Sequence, residues 1–449
     1  MSAPYVSVDY RSRYPGELLV AFSRDLLDGS WRVERQGRAA DADLVRIGPD
    51  GPRGIVWLRH PDLIRALLID ENDGVVKSRG LRLARSIVGD GLLTLEGAAH
   101  TARRKLVLPG FHHGRVRGYG DVMVRRALDE SSSWREGEPF DLSAAMARLT
   151  LAIAAETLFG AEVDTGRVGT ALVEAMHAFD RSQHPLGEVL ARLPTPNTLR
   201  SRRARALIDA EVNRVIAQHR ATPGDDLLSL LMEARDEETG AALRDDELRD
   251  EAVTLLLAGH ETTAVALAWL FPLLAAHPEV EARLHVEVDA LGGPPAFEDV
   301  RRLPYTRQVL AESMRLFPPA WSFGREAVRD LDLAGVPVAA GTTVLLGPLF
   351  LHRDERFWDD PDRFDPDRFA PEAKAGRHKF VYLPFSAGRR GCIGEQFAWT
   401  EGVLVLAAIA QRWRLRPAGP VPPPVGSVTY RPSGPIWMRA EALPRRAAA

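Results

Sequence analysis

Apolar residues recur every third or fourth position across most of this chain, a spacing that predicts a mainly helical fold between Ala98 and Ala410. The pattern is cleanest through Leu142 to Phe159, Leu199 to His219 and Leu227 to Ala234. Strict alternation is confined to shorter pieces. Asp43 to Leu68 sets two such runs around a Pro/Gly-rich centre and predicts a small hairpin. Leu331 to Val338 and Thr342 to Leu346 predict β pairs around Gly335 and Gly341, and Ser427 to Arg439 predicts a last hairpin after the PVPPPVG linker. Helical spacing starts at His60, and the stretch from Asp70 to Gly91 beyond it predicts a long loop of the kind that often serves function.

The run from Ala252 to Ala276 is too continuously apolar for a surface helix and predicts a long buried one. Asp245, Asp246 and Glu247 open it, because acids are favoured at the positive end of a helix. Pro272 predicts that it kinks or ends early. Pro278 opens the next helix, Gly292 to Pro295 end it, and Tyr305 to Phe317 forms another that Pro318 and Pro319 stop. Arg200, Arg202, Arg203, Arg205, Arg214 and Arg220 predict a solvated helix face. The expected fold class is mainly α with a minor β region.

Composition narrows the class without naming a function. The 449 residues give a prior of roughly three domains of about 150 residues. With 45% hydrophobic and 27% charged residues the chain reads as globular. Its 58 basic and 61 acidic residues lack the excess of a nucleic-acid binder. The single cysteine, Cys392, excludes an intrachain disulfide, and the N-terminus MSAPYVSVDYRSRYPG has no apolar signal core, so a cytoplasmic location is expected. The apolar run at 252–276 is broken by His260, Glu261, Thr262 and Thr263, so no membrane span is expected.

Taken alone, Cys392 would be an inert buried hydrophobe. Its neighbours change that. In Phe385-Ser386-Ala387-Gly388-Arg389-Arg390-Gly391-Cys392-Ile393-Gly394, three glycines let the backbone turn tightly and approach something flat, just before a helix opening near Glu395. Backbone N–H groups and the positive end of that helix are expected to lower the thiol's pKa, which suits permanent metal ligation.

The segment resembles the heme-binding signature FxxGxRxCxG of the cytochrome P-450 family, with every fixed position filled. The resemblance implies that Cys392 is the proximal ligand of a heme b iron, that Phe385 packs beside the sulfur, that Gly394 completes the loop, and that Arg390 pairs with a propionate. Glu312 and Arg315, three apart on one helix, would alone be an ordinary intrahelical pair. Within LPYTRQVLAESMRLFPP they resemble the family's ExxR motif, and Pro366-Asp367-Arg368-Phe369 resembles its PERF motif. That implies a buried structural triad of Glu312, Arg315 and Arg368. Ala258-Gly259-His260-Glu261-Thr262-Thr263 is similar to the family's AGx(D/E)TT motif, which implies a dioxygen groove at Gly259 and Thr262 and proton delivery by Glu261 and Thr262. The plainer alternative is side chains bonded back to their own helix carbonyls. His260 is given no role. His100 and Arg104, one turn apart, and Arg325 fall where the family supplies propionate donors.

The resemblance implies a single cytochrome P-450 domain over residues 1–449 with no fused reductase, overruling the length prior. It implies a monooxygenase using dioxygen, two electrons and two protons, supplied with electrons by a ferredoxin or flavodoxin and its reductase. Arg103, Lys105 and Arg389 are expected to offer that partner a basic docking surface. The rivals are a peroxide-driven heme-thiolate enzyme, a heme-binding sensor or electron carrier without turnover, and a cysteine nucleophile enzyme. The expected pocket walls are Asp70 to Gly91, the region around Phe179, Leu255 to Thr262, Ala320 to Phe323, and Val428 with Thr429. They are mostly apolar and imply a lipophilic substrate such as a terpenoid, fatty acid or polyketide, bound by a monomer.

Overall fold

The structure is a computed structural model describing residues 5–10, 26–52, 54–182, 193–235 and 240–443. Five helices frame the site: α1 (Gly97–Val107), α2 (Leu142–Phe159), α3 (Asp245–Ala276), α4 (Pro304–Leu316) and α5 (Glu395–Ala410). The 32 residues of α3 span about 48 Å. Apolar side chains cover every face of α3, so it cannot lie on the surface, and α2, α4 and α5 pack around it in one continuous core. Glu247 starts it by accepting from the Arg244 N–H at 3.0 Å. Pro272 does not stop it. The proline lies one turn from the end, so its missing N–H removes a single bond and the helix runs on to Ala276.

Among the described residues the β part is one six-stranded sheet and three smaller ones. The sheet consists of β1 (Ser7–Tyr10), β2 (Leu44–Ile47), β3 (Ile55–Leu58), β4 (Val75–Lys77), β5 (Phe323–Ala327) and β6 (Thr343–Leu346), in the order β1-β2-β3-β6-β5-β4. The expected hairpin is β2 and β3, with Leu44 opposite Leu58 and Ile47 opposite Ile55. Leu331–Leu333 and Val336–Val338 form the second expected hairpin, but β6 does not join them and instead lies between β3 and β5. The C-terminal segment divides where one hairpin was expected. Pro424–Gly426 pairs with Tyr430–Pro432, whereas Trp437–Ala442 joins Trp413–Pro417 and Pro139–Asp141. The stretch from Asp70 to Gly91 is not a bare loop either. It contains β4 and the short helices Arg79–Leu83 and Arg85–Val88.

Among the described residues two helices, α2 and α3, are long and apolar enough by composition to cross a bilayer, and their apolar windows are 67% and 72% buried within the fold. Their apolarity is explained by that core. The six arginines of 200–220 are all exposed, as their spacing predicts.

Candidate functional site: a cysteine loop and a buried central helix

The Cys392 loop is set by backbone contacts. The Cys392 N–H donates to the Phe385 carbonyl at 2.9 Å, and Gly388 turns the chain with φ +73°. A Cβ at Gly388 would come within 2.3 Å of the Leu68 carbonyl oxygen, so any other residue strains the turn and displaces backbone. Phe385 packs on Trp399, with ring centroids 5.6 Å apart. Arg104 of α1 donates to the Gly391 carbonyl at 2.9 Å and so clamps the loop directly.

The Cys392 thiol is accessible, yet burial of its surroundings raises its pKa. This reverses the expected direction. The backbone bond from Gly394 and the charge of Arg104 act downward, but desolvation outweighs both. The loop by itself therefore does not favour a thiolate.

The glutamate-arginine motif on α4 is a fully buried bidentate pair. Arg315 Nε and Nη2 donate to Glu312 at 2.7 and 2.8 Å, and neither side chain is exposed. The other donors of Arg315 reach the carbonyls of His352, Pro361 and Arg363. Glu312 also accepts from the Asp365 N–H at 2.8 Å, and Arg368 Nε stands 3.4 Å from it. Sequence reasoning missed His352, which no motif marks. It is completely buried and its pKa is driven well below the ordinary value by that burial, so neutral Nε2 accepts from the Leu383 N–H at 2.9 Å, two residues before Phe385.

The expected propionate donors share one buried wall. Lys77, Arg390, Arg104 and Arg325 all act on His100, whose pKa is pushed down to about 4 by burial first and by these cations next. Arg325 is 5% exposed and pushed down to about 10, again by burial first, and it donates to the carbonyl of Gly324. Lys77, unmarked in the sequence, is pushed down to about 8 by burial and donates to the carbonyls of Leu92 and Leu95. Arg390 is engaged by protein: Nη2 donates to the Val75 carbonyl at 3.1 Å and Nη1 pairs with Glu96. Among the described residues the carboxylates acting on this wall are Glu96, on Lys77 and Arg325, and Glu251, on Lys77. The buried Lys77 and Arg325, the half-buried Arg104 and Arg390 and a histidine outnumber these two carboxylates, of which Glu251 is already paired with Arg103, and so fit a group that brings carboxylates of its own, as heme does.

The middle of α3 opens onto internal space. Ala258 is exposed and Gly259, Glu261 and Thr262 are half-buried, between turns that are fully buried. A Cβ on Gly259 would meet nothing closer than 3.9 Å, so protein packing does not require glycine there. The Thr262 hydroxyl donates to the Ala258 carbonyl at 2.8 Å, the plainer arrangement considered above. Glu261 is not bonded to Thr262. It turns to the C-terminal hairpin, where the Thr429 hydroxyl donates to it at 3.0 Å, and burial raises its pKa. His260 is buried with Nδ1 unpartnered, and burial pushes its pKa down to about 4. On α5, Glu401 is 1% exposed, bonds Thr263, and is pushed up to about 8 by burial.

Two expectations for the surroundings need correction. Arg103 is not on a docking surface: it is 5% exposed and pairs with Glu247 and Glu251 of α3 at 2.9 and 3.2 Å. Trp321 is not a pocket wall, since it is buried and donates to the Ser427 carbonyl.

An accessible thiol in a tight loop, a helix opened at its centre and a wall rich in cations fit a bound heme with a cysteine ligand. The family model for cytochrome P450 matches residues 45–437, and the chain belongs to that family. It is a monooxygenase whose cofactor is heme b. It is 40% identical to cyclooctatin synthase of Streptomyces melanosporofaciens over 84% of each chain. It is 38% identical to cyclooctat-9-en-7-ol 5-monooxygenase of the same organism, over 86% of each. The pentalenene oxygenase of Streptomyces avermitilis is 36% identical, over 88% of this chain and 89% of that one. The crystal structure of cytochrome P450DA heme domain superposes with a TM-score of 0.86 at 27% identity and 98% coverage of both chains.

Proposed function

We propose that this monooxygenase hydroxylates or epoxidises a terpenoid. The observation that carries this reading is the 36–40% identity, over most of both chains, to three relatives, two of them named as oxygenases of terpenoid substrates. The apolar expected walls agree, and they discriminate less among terpenoid, fatty acid and polyketide.

Heme, held through Cys392, supplies dioxygen activation and oxygen insertion. The rest falls to the chain. Arg104, His100 and Arg325 bind its carboxylates, and Lys77 joins them. Arg390, with Glu96, fixes the Cys392 loop against β4. The Glu312–Arg315–Arg368 network holds the segment leading to the loop. Thr262 positions a proton at the open face of α3, and Glu261 supplies it.

Electrons come from a ferredoxin or flavodoxin with its reductase, at a groove beside Cys392. That groove has a volume of about 710 Å³ and is lined by Phe111 and Trp399 and by Arg301 and Arg307, with Arg117 paired to Glu298 and with Glu395 beside them. It takes the place of the expected Arg103 surface. The protein acts as a cytoplasmic monomer.

The test is a panel of cyclic terpene hydrocarbons and alcohols, fatty acids and polyketides, titrated against the holoenzyme while its heme absorption is followed. Terpenes should displace water from the iron, with oxygenated product following once electrons are supplied. A fatty acid or polyketide that binds and turns over while every terpene fails would overturn the substrate reading.

A further inference from the structure

Glu261 projects from the central helix into a polar contact among three separate pieces of chain. Thr429, in the turn of the Pro424–Pro432 hairpin, is 2% exposed and donates to Glu261 at 3.0 Å. From the same turn, the Ser427 hydroxyl lies 2.8 and 2.6 Å from the two carboxylate oxygens of Asp180, on the helix Thr165–Ser182. Arg431, on the returning strand, stands 3.8 Å from Asp180 through Nη2, while its Nε is buried without a hydrogen-bond partner. Among the described residues the charged groups acting on Glu261 are Arg431 and Asp180, and they act in opposite directions.

The arrangement places one guanidinium against two carboxyl groups. Asp180 meets that cation directly and its side chain is 31% exposed to water, whereas Glu261 has the Thr429 hydroxyl to set against its burial. Asp180 takes two hydroxyl contacts and the ion pair, whereas Glu261 takes one hydroxyl and is the more enclosed. Burial raises Glu261, the Thr429 bond and Arg431 lower it, and Asp180 raises it again.

We propose that Arg431 and Asp180 are positioning residues that jointly set whether Glu261 carries a proton, with Arg431 drawing the proton off and Asp180 holding it on. As a contribution to catalysis this rests on the reading of Glu261 as the proton supplier. Its physical content does not, since the two residues must act on Glu261 whatever the chain oxidises.

The test titrates Glu261 directly. In the ferric holoenzyme a protonated buried carboxyl gives an infrared C=O band, and Glu261→Gln identifies the one that belongs to Glu261. Arg431→Gln should move the midpoint of that band up, and Asp180→Asn should move it down. Thr429→Val, which keeps all charges and removes one donor, should move it up. This variant preserves the test if the arginine variant fails to fold. The pH profile of product formed per reductant consumed should shift in the same senses. Midpoints that stay fixed, or that move together in Arg431→Gln and Asp180→Asn, overturn the proposal. Midpoints that move as stated while product yield ignores pH support it and remove Glu261 from proton supply instead.

Discussion

Replacing Glu401 by glutamine should stabilise this protein, increasingly so as pH rises. The carboxyl lies 1% exposed on α5, its Oε2 has no hydrogen-bond partner, and no cation acts on it, so burial pushes its pKa from 4.5 up to about 8. Below 4.5 the folded and unfolded chains both hold this proton, and stability is unaffected. Between 4.5 and 8 the unfolded chain releases it and the folded chain keeps it. The folded state binds more protons there, so each unit of pH costs about 1.4 kcal/mol, up to a limit of about 5 kcal/mol. At neutral pH the cost is about 3 kcal/mol, a sizeable share of the 5–15 kcal/mol that holds a domain together. Glutamine keeps the volume and can bond Thr263 but takes up no proton. The assay is urea unfolding of holoprotein, parent and Glu401→Gln, at about pH 5, 7 and 8.5, followed by far-ultraviolet circular dichroism. The advantage of the variant should be under about 1 kcal/mol at the lowest pH and should exceed about 3 at the highest. Curves that run parallel at all three would show that Glu401 titrates alike in both states, and the account of its burial would fail.

Three further outcomes are expected. Cys392→Ser should lose the thiolate Soret band of reduced, carbon monoxide-treated protein, because a hydroxyl is a poor donor at neutral pH; an unchanged band position would remove Cys392 as the ligand. Glu312→Ala leaves the Arg315 guanidinium buried without its carboxylate, at about 3–5 kcal/mol, so heme-free or insoluble protein is expected, and a normal melting curve would show the network to be dispensable. Thr262→Ala removes only a side-chain bond to the Ala258 carbonyl, so folding and heme content should hold while more hydrogen peroxide and less product form per electron pair; wild-type coupling would confine Thr262 to its helix.

What the sequence made legible was whatever lies contiguous in it. The Cys392 loop, the Glu312–Arg315 pair and the opening at Gly259 to Thr263 each occupy one short segment, and helices such as Leu142–Phe159 follow from a single period. The basic wall was half legible: Glu96, His100 and Arg104 follow one another along one helix, but Lys77 meets Arg325 only through the pairing of β4 with β5. Arg103, Arg104 and Lys105 look like one basic patch in the sequence, yet consecutive helical residues point about 100° apart, and α1 buries the first of them against α3. The direction of the Cys392 shift was misjudged because desolvation depends on what packs over the loop from elsewhere. Glu401, His352 and the Asp180–Arg431 contact carry no local signature at all, since each is defined by a partner dozens to hundreds of residues away.

The strand pairing that closes the C-terminal segment imposes an order on synthesis. His100 leaves the ribosome long before Cys392, by roughly 15–60 s at about 5–20 residues per second. Throughout that interval the growing chain carries the basic wall without the loop it faces. The Glu312 network waits for Arg368, the Thr429 contact comes later still, and Pro139–Asp141 lacks its neighbour until Trp437–Ala442 has been made. A nascent chain released before that strand should therefore leave an open sheet edge beside a largely formed helical core. Cofactor capture becomes an event at the end of translation, and heme supply should govern yield more than the rate of elongation does.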